Sequence, residues 1–400
     1  MKSNRSSVLN LVAHPSSERI FKRRSEIRAP LLSSVACVMV VLMCSLVAPV
    51  IGAQSESKQD DKKKKPEPFK VERLTQGMGL YTFGPISPDK QSILLLAQKP
   101  DQAPNLYVMT LSGHAIRPPV TSFKWGAADP TWSPDSLSVA LAGFNETATF
   151  SELYTLELKT GKLRQMTSNA FSDKEPVYMP DGKRLLYTTD ESPLPDAAFG
   201  ILHVSSIAIG GGKPQVFTED DGSFIHPALG GDGKSVLLVK VDELSGRHSL
   251  WQYGLDGKPQ RDLTERQFAR IHRHIPNPAG GSIVIWGQEE PEQQDGVYVL
   301  DLKSGKAREL PDPDLPKRTP SISPDGMLIA FIAPTDTGAQ LFVYDSATGQ
   351  IQQLTNKPAR THSPVFVSND EIIFGSDRDR ESEVYLVNLK VPAVEDKKKK

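Results

Sequence analysis

Carboxylate and imidazole side chains recur along this 400-residue chain at near-regular intervals: Asp129, Glu175, His226 and His274, with His272 and His362 close to the same periodic place. Such groups, brought together by converging strands, are ligand types that suit a divalent metal such as Ca, Mn or Zn. They could equally receive a cationic group of some other ligand. A plainer role is also available, because Asp129, Glu175 and His226 stand directly before Pro130, Pro176 and Pro227, where a residue need only start a strand. The expectation is a ligand-binding site at Asp129, Glu175, His226, His274, His272 and His362, with the first four as the metal set if a metal is held. No other cofactor is expected.

A second group of residues carries charge. Arg270, Arg273, Lys317, Arg318 and Arg360, with Arg266 and Lys357, precede or enter the same periodic segments in the C-terminal half, whereas Glu219, Asp220 and Asp221 precede an earlier one. Glu289, Glu290, Glu292, Asp377 and Asp379 fall in loops expected on the same side of the molecule. A rim of mixed sign follows, suited to docking a charged partner or simply to solvation.

The elements that position these residues are repeats of one turn. Ser87-Pro88-Asp89, Ser133-Pro134-Asp135, Met179-Pro180-Asp181-Gly182, Gly231-Asp232-Gly233 and Ser323-Pro324-Asp325-Gly326 are copies, with weaker ones at Ala279-Gly280-Gly281 and Ser368-Asn369-Asp370. Their mean interval of about 47 residues is that of a four-stranded propeller blade. Proline presets φ in the turn, Asp hydrogen-bonds the turn backbone and Gly takes the left-handed place, so the recurring Asp residues have a local role without catalysis. After each turn comes a short apolar run, such as Ile93 to Ala97 or Leu328 to Ile332. A strand apolar on both faces must be covered on both. A third strand of Leu-Tyr-Val type follows, as in Leu106-Tyr107-Val108 and Val297-Tyr298-Val299, and then an ending near Leu-Thr, as in Met166-Thr167 and Leu354-Thr355. Tyr107, Tyr154, Trp251 and Tyr298, with Trp125 and Trp132, are expected to pack between blades. The seventh copy lacks its fourth strand, and Val71 to Thr75 can supply it. The predicted fold is all-β, a single propeller of seven four-stranded blades closed by that N-terminal outer strand.

These repeats, together with Phe374-Gly375-Ser376-Asp377-Arg378-Asp379, resemble those of TolB-like propellers over about residues 69 to 390. TolB itself places a further domain ahead of its propeller, for which no stretch here is long enough. Prolyl oligopeptidases carry similar repeats with a C-terminal hydrolase domain, and the chain contains no G-x-S-x-G elbow. Oligogalacturonate lyases share the seven-bladed plan and hold a metal through channel histidines, and by that likeness an enzyme reading stays open.

The ends are different in kind. Lys2, Arg5, Arg19, Lys22, Arg23, Arg24 and Arg28 precede an uncharged stretch from Leu31 to Ala53, so residues 1–53 read as a signal peptide, with an uncleaved membrane anchor as the alternative. Cys37 and Cys44 both lie there, so disulfides contribute nothing to the mature domain. Residues 54–68 read as a charged linker, 69–392 as the propeller and 393–400 as a basic tail. With 38% hydrophobic residues the chain can build a large core, and its formal net charge of -1 argues against nucleic acid. The expectation is a monomeric, non-catalytic, exported propeller of the periplasm or another extracytoplasmic space, docking an envelope protein or peptide through its loop face and channel mouth. Membrane contact would come only through an uncleaved N-terminal segment. The alternative is a metal-assisted lyase or hydrolase acting on an acidic oligosaccharide in the channel.

Overall fold

In the middle strand of each repeat nearly every side chain is buried, as in Ser92–Ala97 and Arg184–Thr189, because these strands are apolar on both faces. The computed structural model describes residues 67–392 except 100, 145–148, 191–200, 219–221, 266–267 and 313. These residues belong to a unit spanning Asp60–Lys400. The expected signal or anchor segment, nearly all of the linker and the basic tail lie outside the described residues.

Within each repeat consecutive paired strands run antiparallel, and the core lies in slabs between sheets. Ile225, Val239 and Leu250 of one sheet meet Ile271, Ile285 and Tyr298 of the next. Ala140 and Leu153 likewise meet Leu185 and Tyr187. Each fully buried Leu, Ile or Val contributes about 1.5–3 kcal/mol by leaving water. Tyr107, Tyr154 and Tyr298 are buried as the repeat pattern implies, and Trp132 donates its indole N–H to the Pro85 carbonyl of the preceding sheet at 2.8 Å. Trp125 departs from that expectation: it is 47% exposed, with Lys124 Nζ 5.0 Å above its ring.

The first strands of successive repeats touch one another. Leu80–Ile86 contacts Ala127–Trp132, which contacts Asp173–Tyr178, then Ser223–Leu229 and Arg270–Pro276; Arg318–Ile322 contacts Ala359–Phe366, which returns to Leu80–Ile86. These strands line the centre.

The expectation of seven four-stranded blades is corrected by the strand pairing. Five blades stand as separate sheets, four of four strands and one of three, while the C-terminal repeats and the N-terminal strand form one continuous eight-stranded sheet. The merger has a local cause. The hairpin Leu328–Thr335 with Gly338–Asp345 is long enough to reach the following repeat, where Gly338 and Ala339 pair in parallel with Ala359 and Arg360. Gly338 has φ 107°, and a Cβ there would lie 2.3 Å from the Ala359 carbonyl oxygen, so the approach needs glycine. The three-stranded sheet has a different cause. Ile116 makes only an isolated bridge to Met109, and Pro118-Pro119, which have no N–H, follow at once.

The N-terminal strand Phe69–Arg73 does pair with the last strand, through Val71 with Val387, Glu72 with Leu386 and Arg73 with Tyr385. The seam is reinforced by the Thr of the Leu-Thr ending. Val384 donates its backbone N–H to Thr75 Oγ1 at 2.9 Å, and Thr75 Oγ1 donates to the buried Glu383 carboxylate at 2.5 Å. Leu106 with Thr121, Leu153 with Thr167, Leu250 with Thr264 and Leu341 with Thr355 make the same backbone-to-hydroxyl bond. That is the physical reason for the repeated threonine.

Candidate functional site at the channel mouth

The turn carboxylates prove to be turn-builders. Asp89, Asp135 and Asp325 each accept from the hydroxyl of the Ser two places earlier, at 2.5 to 2.6 Å, and from a backbone N–H two places later at 3.0 Å. These bonds hold all three below the usual carboxylate range.

The channel strands share a backbone device. Asp129, Glu175, His226, Thr319 and Ser363 all have φ between 47° and 55°, each immediately before a proline. Each sits where the register slips against the second strand, in a bulge. Proline offers no ladder donor, so the bulge costs one bond fewer there than elsewhere. It also turns the preceding amide away from its own sheet. Glu175 N donates to Asp129 Oδ2 at 3.3 Å, and His226 N donates to Glu175 Oε2 at 2.9 Å. Thus each backbone N–H reaches the acid at the equivalent place of the preceding blade.

The side chains extend this relay. His226 Nδ1 lies 2.6 Å from Glu175 Oε1, and Thr188 donates its hydroxyl to Glu175 Oε2 at 2.8 Å. Crowding by the surrounding strands would raise Glu175, but the charge and hydrogen bond of His226 prevail and bring it down to about 2. For His226, burial pulls down while Glu175 pushes up, and the net direction is up. Asp129 is pushed up to about 6 by desolvation and by the negative charge of Glu175, although its own surface opens to the channel.

His274 is in another situation. Its strand has Ile275 where the others have proline, its φ is not left-handed, and the register slip falls earlier, at His272. His274 is 6% exposed, and neither ring nitrogen has a hydrogen-bond partner. Burial, then the charges of His226 and Arg273, hold it down to about 3, so the ring is neutral. The structure therefore brings Asp129, Glu175 and His226 into one hydrogen-bonded series with His274 in their field. It does not arrange them as four converging ligands: Glu175 already uses both oxygens on His226 and Thr188, and His226 uses Nδ1. Among the described residues no group of three or more His, Cys, Asp or Glu is placed to hold a metal ion.

The other histidines and the rim are engaged locally. His272 Nε2 is 3.0 Å from Asp295 Oδ1, its ring lies 4.7 Å from Trp286, and Arg318 Nε meets Asp295 Oδ2 at 3.2 Å. His362 lies between the Ser382 and Ser363 hydroxyls, over Gly375, where a Cβ would strike the ring. Arg360 pairs with Asp377 at 2.8 Å and Lys357 with Asp379 at 2.5 Å. Lys317 is not on the rim: its side chain is fully buried, and its ammonium donates to the carbonyls of Asp312 and Leu315 at 2.5 and 3.0 Å. Arg270 and Arg273 are exposed, and neither has an ion-pair partner among the described residues. Arg266, Glu219, Asp220 and Asp221 lie outside the described residues.

Two participants escaped sequence reasoning. Thr188 ends the otherwise apolar run Leu185-Leu186-Tyr187, and that hydroxyl was the available signal. Asp295 lies in a loop without a motif, and only the tertiary fold sets it between His272 and Arg318.

Comparison with known proteins gives a consistent fold. The TolB β-propeller domain family matches residues 69–296. Tol-Pal system protein TolB of Francisella tularensis subsp. mediasiatica is 21% identical over 212 residues, covering 53% of this chain and 46% of that protein. The uncharacterized peptidase YuxL of Bacillus subtilis is 22% identical over 146 residues, 28% of this chain and 22% of its own length. The chain thus spans less than half the length of these curated relatives. Among solved structures, oligogalacturonate lyase of Vibrio parahaemolyticus superposes with a TM-score of 0.61 at 16% identity, covering 82% of this chain and 95% of that one. TolB from Acinetobacter baumannii superposes with a TM-score of 0.51 at 18% identity, covering 72% and 66%. At such identities these likenesses concern the fold alone.

Proposed function

Because the chain belongs to the TolB β-propeller domain family, we propose that it is a non-catalytic protein-binding propeller of the cell envelope, exported to the periplasm or a similar space. It docks an envelope protein or peptide through its loop face and channel mouth. The observation that carries this reading is the mouth itself: Asp129, Arg270 and Arg273 are exposed and have no ion-pair partner among the described residues, and Trp125, in the loop that leads into the Asp129 strand, is half-exposed. Unspent charge beside exposed aromatic surface is the composition of a docking surface. The sheets behind it are packed against one another through buried apolar side chains, a support that lowers the cost of ordering a docking surface.

The test is site-specific photocrosslinking in envelope preparations. A crosslinker at position 125 or 270 should capture one discrete partner, and one at Leu137, 63% exposed on the opposite turn face, should not. Equal capture from both faces, or from neither, would remove the docking reading.

A second reading, the metal-assisted lyase or hydrolase on an acidic oligosaccharide, is supported by His272. Its ring is oriented by the Asp295 carboxylate, the arrangement that prepares an imidazole for proton transfer. Metal content of the purified protein together with turnover of an oligogalacturonate would favour this reading over docking.

A further inference from the structure

The outer part of the third repeat carries a groove of about 300 Å³, bounded by Arg184, Ser206, Ala208, Gly211, Lys213 and Gln215. Its wall is built by strand register. Arg184 stands opposite Ala208 and Ser206 opposite Gln215, so these four side chains rise from one face of the sheet formed by Arg184–Thr189, His203–Ala208 and Gln215–Val216. Arg184 Nη2 donates to Ser206 Oγ and, at 2.7 Å, to Gln215 Oε1, which holds the guanidinium in place. Ser206 Oγ in turn donates to the Gln215 carbonyl at 3.3 Å. From the preceding repeat, Arg164 donates to the carbonyls of Ile209 and Gly210 at 2.8 and 2.9 Å, anchoring the loop that brings Lys213 to the groove. What these bonds leave over is of one kind. Gln215 Oε1 and Ser206 Oγ are occupied, whereas Arg184 Nε and Nη1, Lys213 Nζ and Gln215 Nε2 have no acceptor among the described residues. None of the six lining residues is acidic, and Asp181, in the turn before Arg184, accepts the Lys183 amide at 2.9 Å.

We propose that this groove is an anion site that takes the phosphoryl group of a phosphate ester. It uses no residue of the channel strands and stands or falls apart from the docking reading. A site whose unspent groups are all donors, two of them carrying full positive charge, is made for an acceptor of negative charge. The planar guanidinium fork, the lysine point charge and the amide N–H can together engage three oxygens, which a phosphoryl group offers and a carboxylate does not. The volume is that of about ten waters, more than a bare phosphate fills, so the groove also receives part of the esterified group. A soluble ester and a lipid headgroup present the same phosphoryl chemistry.

The test is calorimetric titration of the purified full chain with glycerol 3-phosphate, acetate and glycerol, joined to sedimentation with phosphatidylglycerol or phosphatidylcholine vesicles. Glycerol 3-phosphate should bind saturably, and acetate and glycerol should not. Lys213→Gln changes an exposed side chain that makes no hydrogen bond among the described residues, so the fold should survive it. It should weaken glycerol 3-phosphate about tenfold, the scale of one charge-assisted bond. Arg184→Gln should weaken it at least as much, with thermal unfolding reporting whether that variant remains folded. Lys159→Gln, an exposed lysine of the preceding repeat outside the groove, should leave binding unchanged. No saturable binding, equal binding of acetate, or unaltered binding in Lys213→Gln would overturn the site. Given phosphate binding, sedimentation with phosphatidylglycerol but not phosphatidylcholine, lost in Lys213→Gln, would support the site with a lipid headgroup as its ligand. The same sedimentation with both kinds of vesicle would support it with a soluble ester.

Discussion

At the scale of single residues, His274 combines full burial with unspent hydrogen-bonding capacity, and this makes it a reporter of acid. Its pKa is about 3 in the fold, against about 6.5 for an unfolded histidine. Between those values the unfolded chain binds the extra proton, so the stability tied to neutral His274 is complete above about pH 6.5 and falls as the pH drops. His248 and His362, held down to about 4 by burial first of all, act in the same direction. The prediction is that His274→Gln loses less stability on acidification than the parent. Urea unfolding at pH 7 and pH 5 should show a difference of differences of about 2 kcal/mol in favour of the variant. Parallel behaviour of the two proteins would mean that His274 gains a partner in solution.

At the scale of elements, the first strands show how a repeat can carry both a structural and a chemical role. The residue before proline is left-handed in five repeats. Three of the five, Asp129, Glu175 and His226, are joined by the amides that the bulges set free. Thr319 and Ser363 occupy the same place without acid or imidazole, so the bulge belongs to the architecture and only its side chain is specific. The merged C-terminal sheet depends on Gly338 in a comparable way. Gly338→Ala should destabilise the protein by about 1–3 kcal/mol, since it combines a disfavoured φ with a clash against backbone that cannot move aside. Thermal unfolding of this variant beside Gly349→Ala, where nothing lies within 4 Å, separates the clash from the left-handed strain they share.

At the scale of the whole molecule, the N-terminal strand is the means of closure. Phe69 and Val71 pack into the cluster formed by Ile372, Phe374, Tyr385 and Val387, while Glu67 ties Arg378 and the amides of Asn356 and Lys357. Deleting residues 69–76 should expose the edge of the last strand and leave Glu383 buried without Thr75 and Arg73. Such a protein should aggregate or lose its single cooperative transition, whereas deletion of residues 54–66 should do neither. Analytical ultracentrifugation and calorimetry of the two truncations decide this, and an equally stable, monomeric protein without residues 69–76 would disprove the closure.

By itself the sequence determined the class of fold, the place of each turn, the burial of the middle strands and the partner of the N-terminal strand. All of these follow from local chemistry repeated at a regular interval: Pro, Asp and Gly in turns, apolar runs between them, and a strand missing at one end but present at the other. What it could not determine was how sheets divide and which polar groups remain unspent. The eight-stranded sheet depends on a backbone approach at Gly338 between repeats, and no pattern within one repeat records it. Likewise the types and spacing of Asp129, Glu175, His226 and His274 suggested one convergent set. Only the tertiary structure decided that Glu175 is used up by His226 and Thr188 while His274 is left without a partner, because hydrogen-bond satisfaction is settled by the directions in which neighbouring blades aim their side chains.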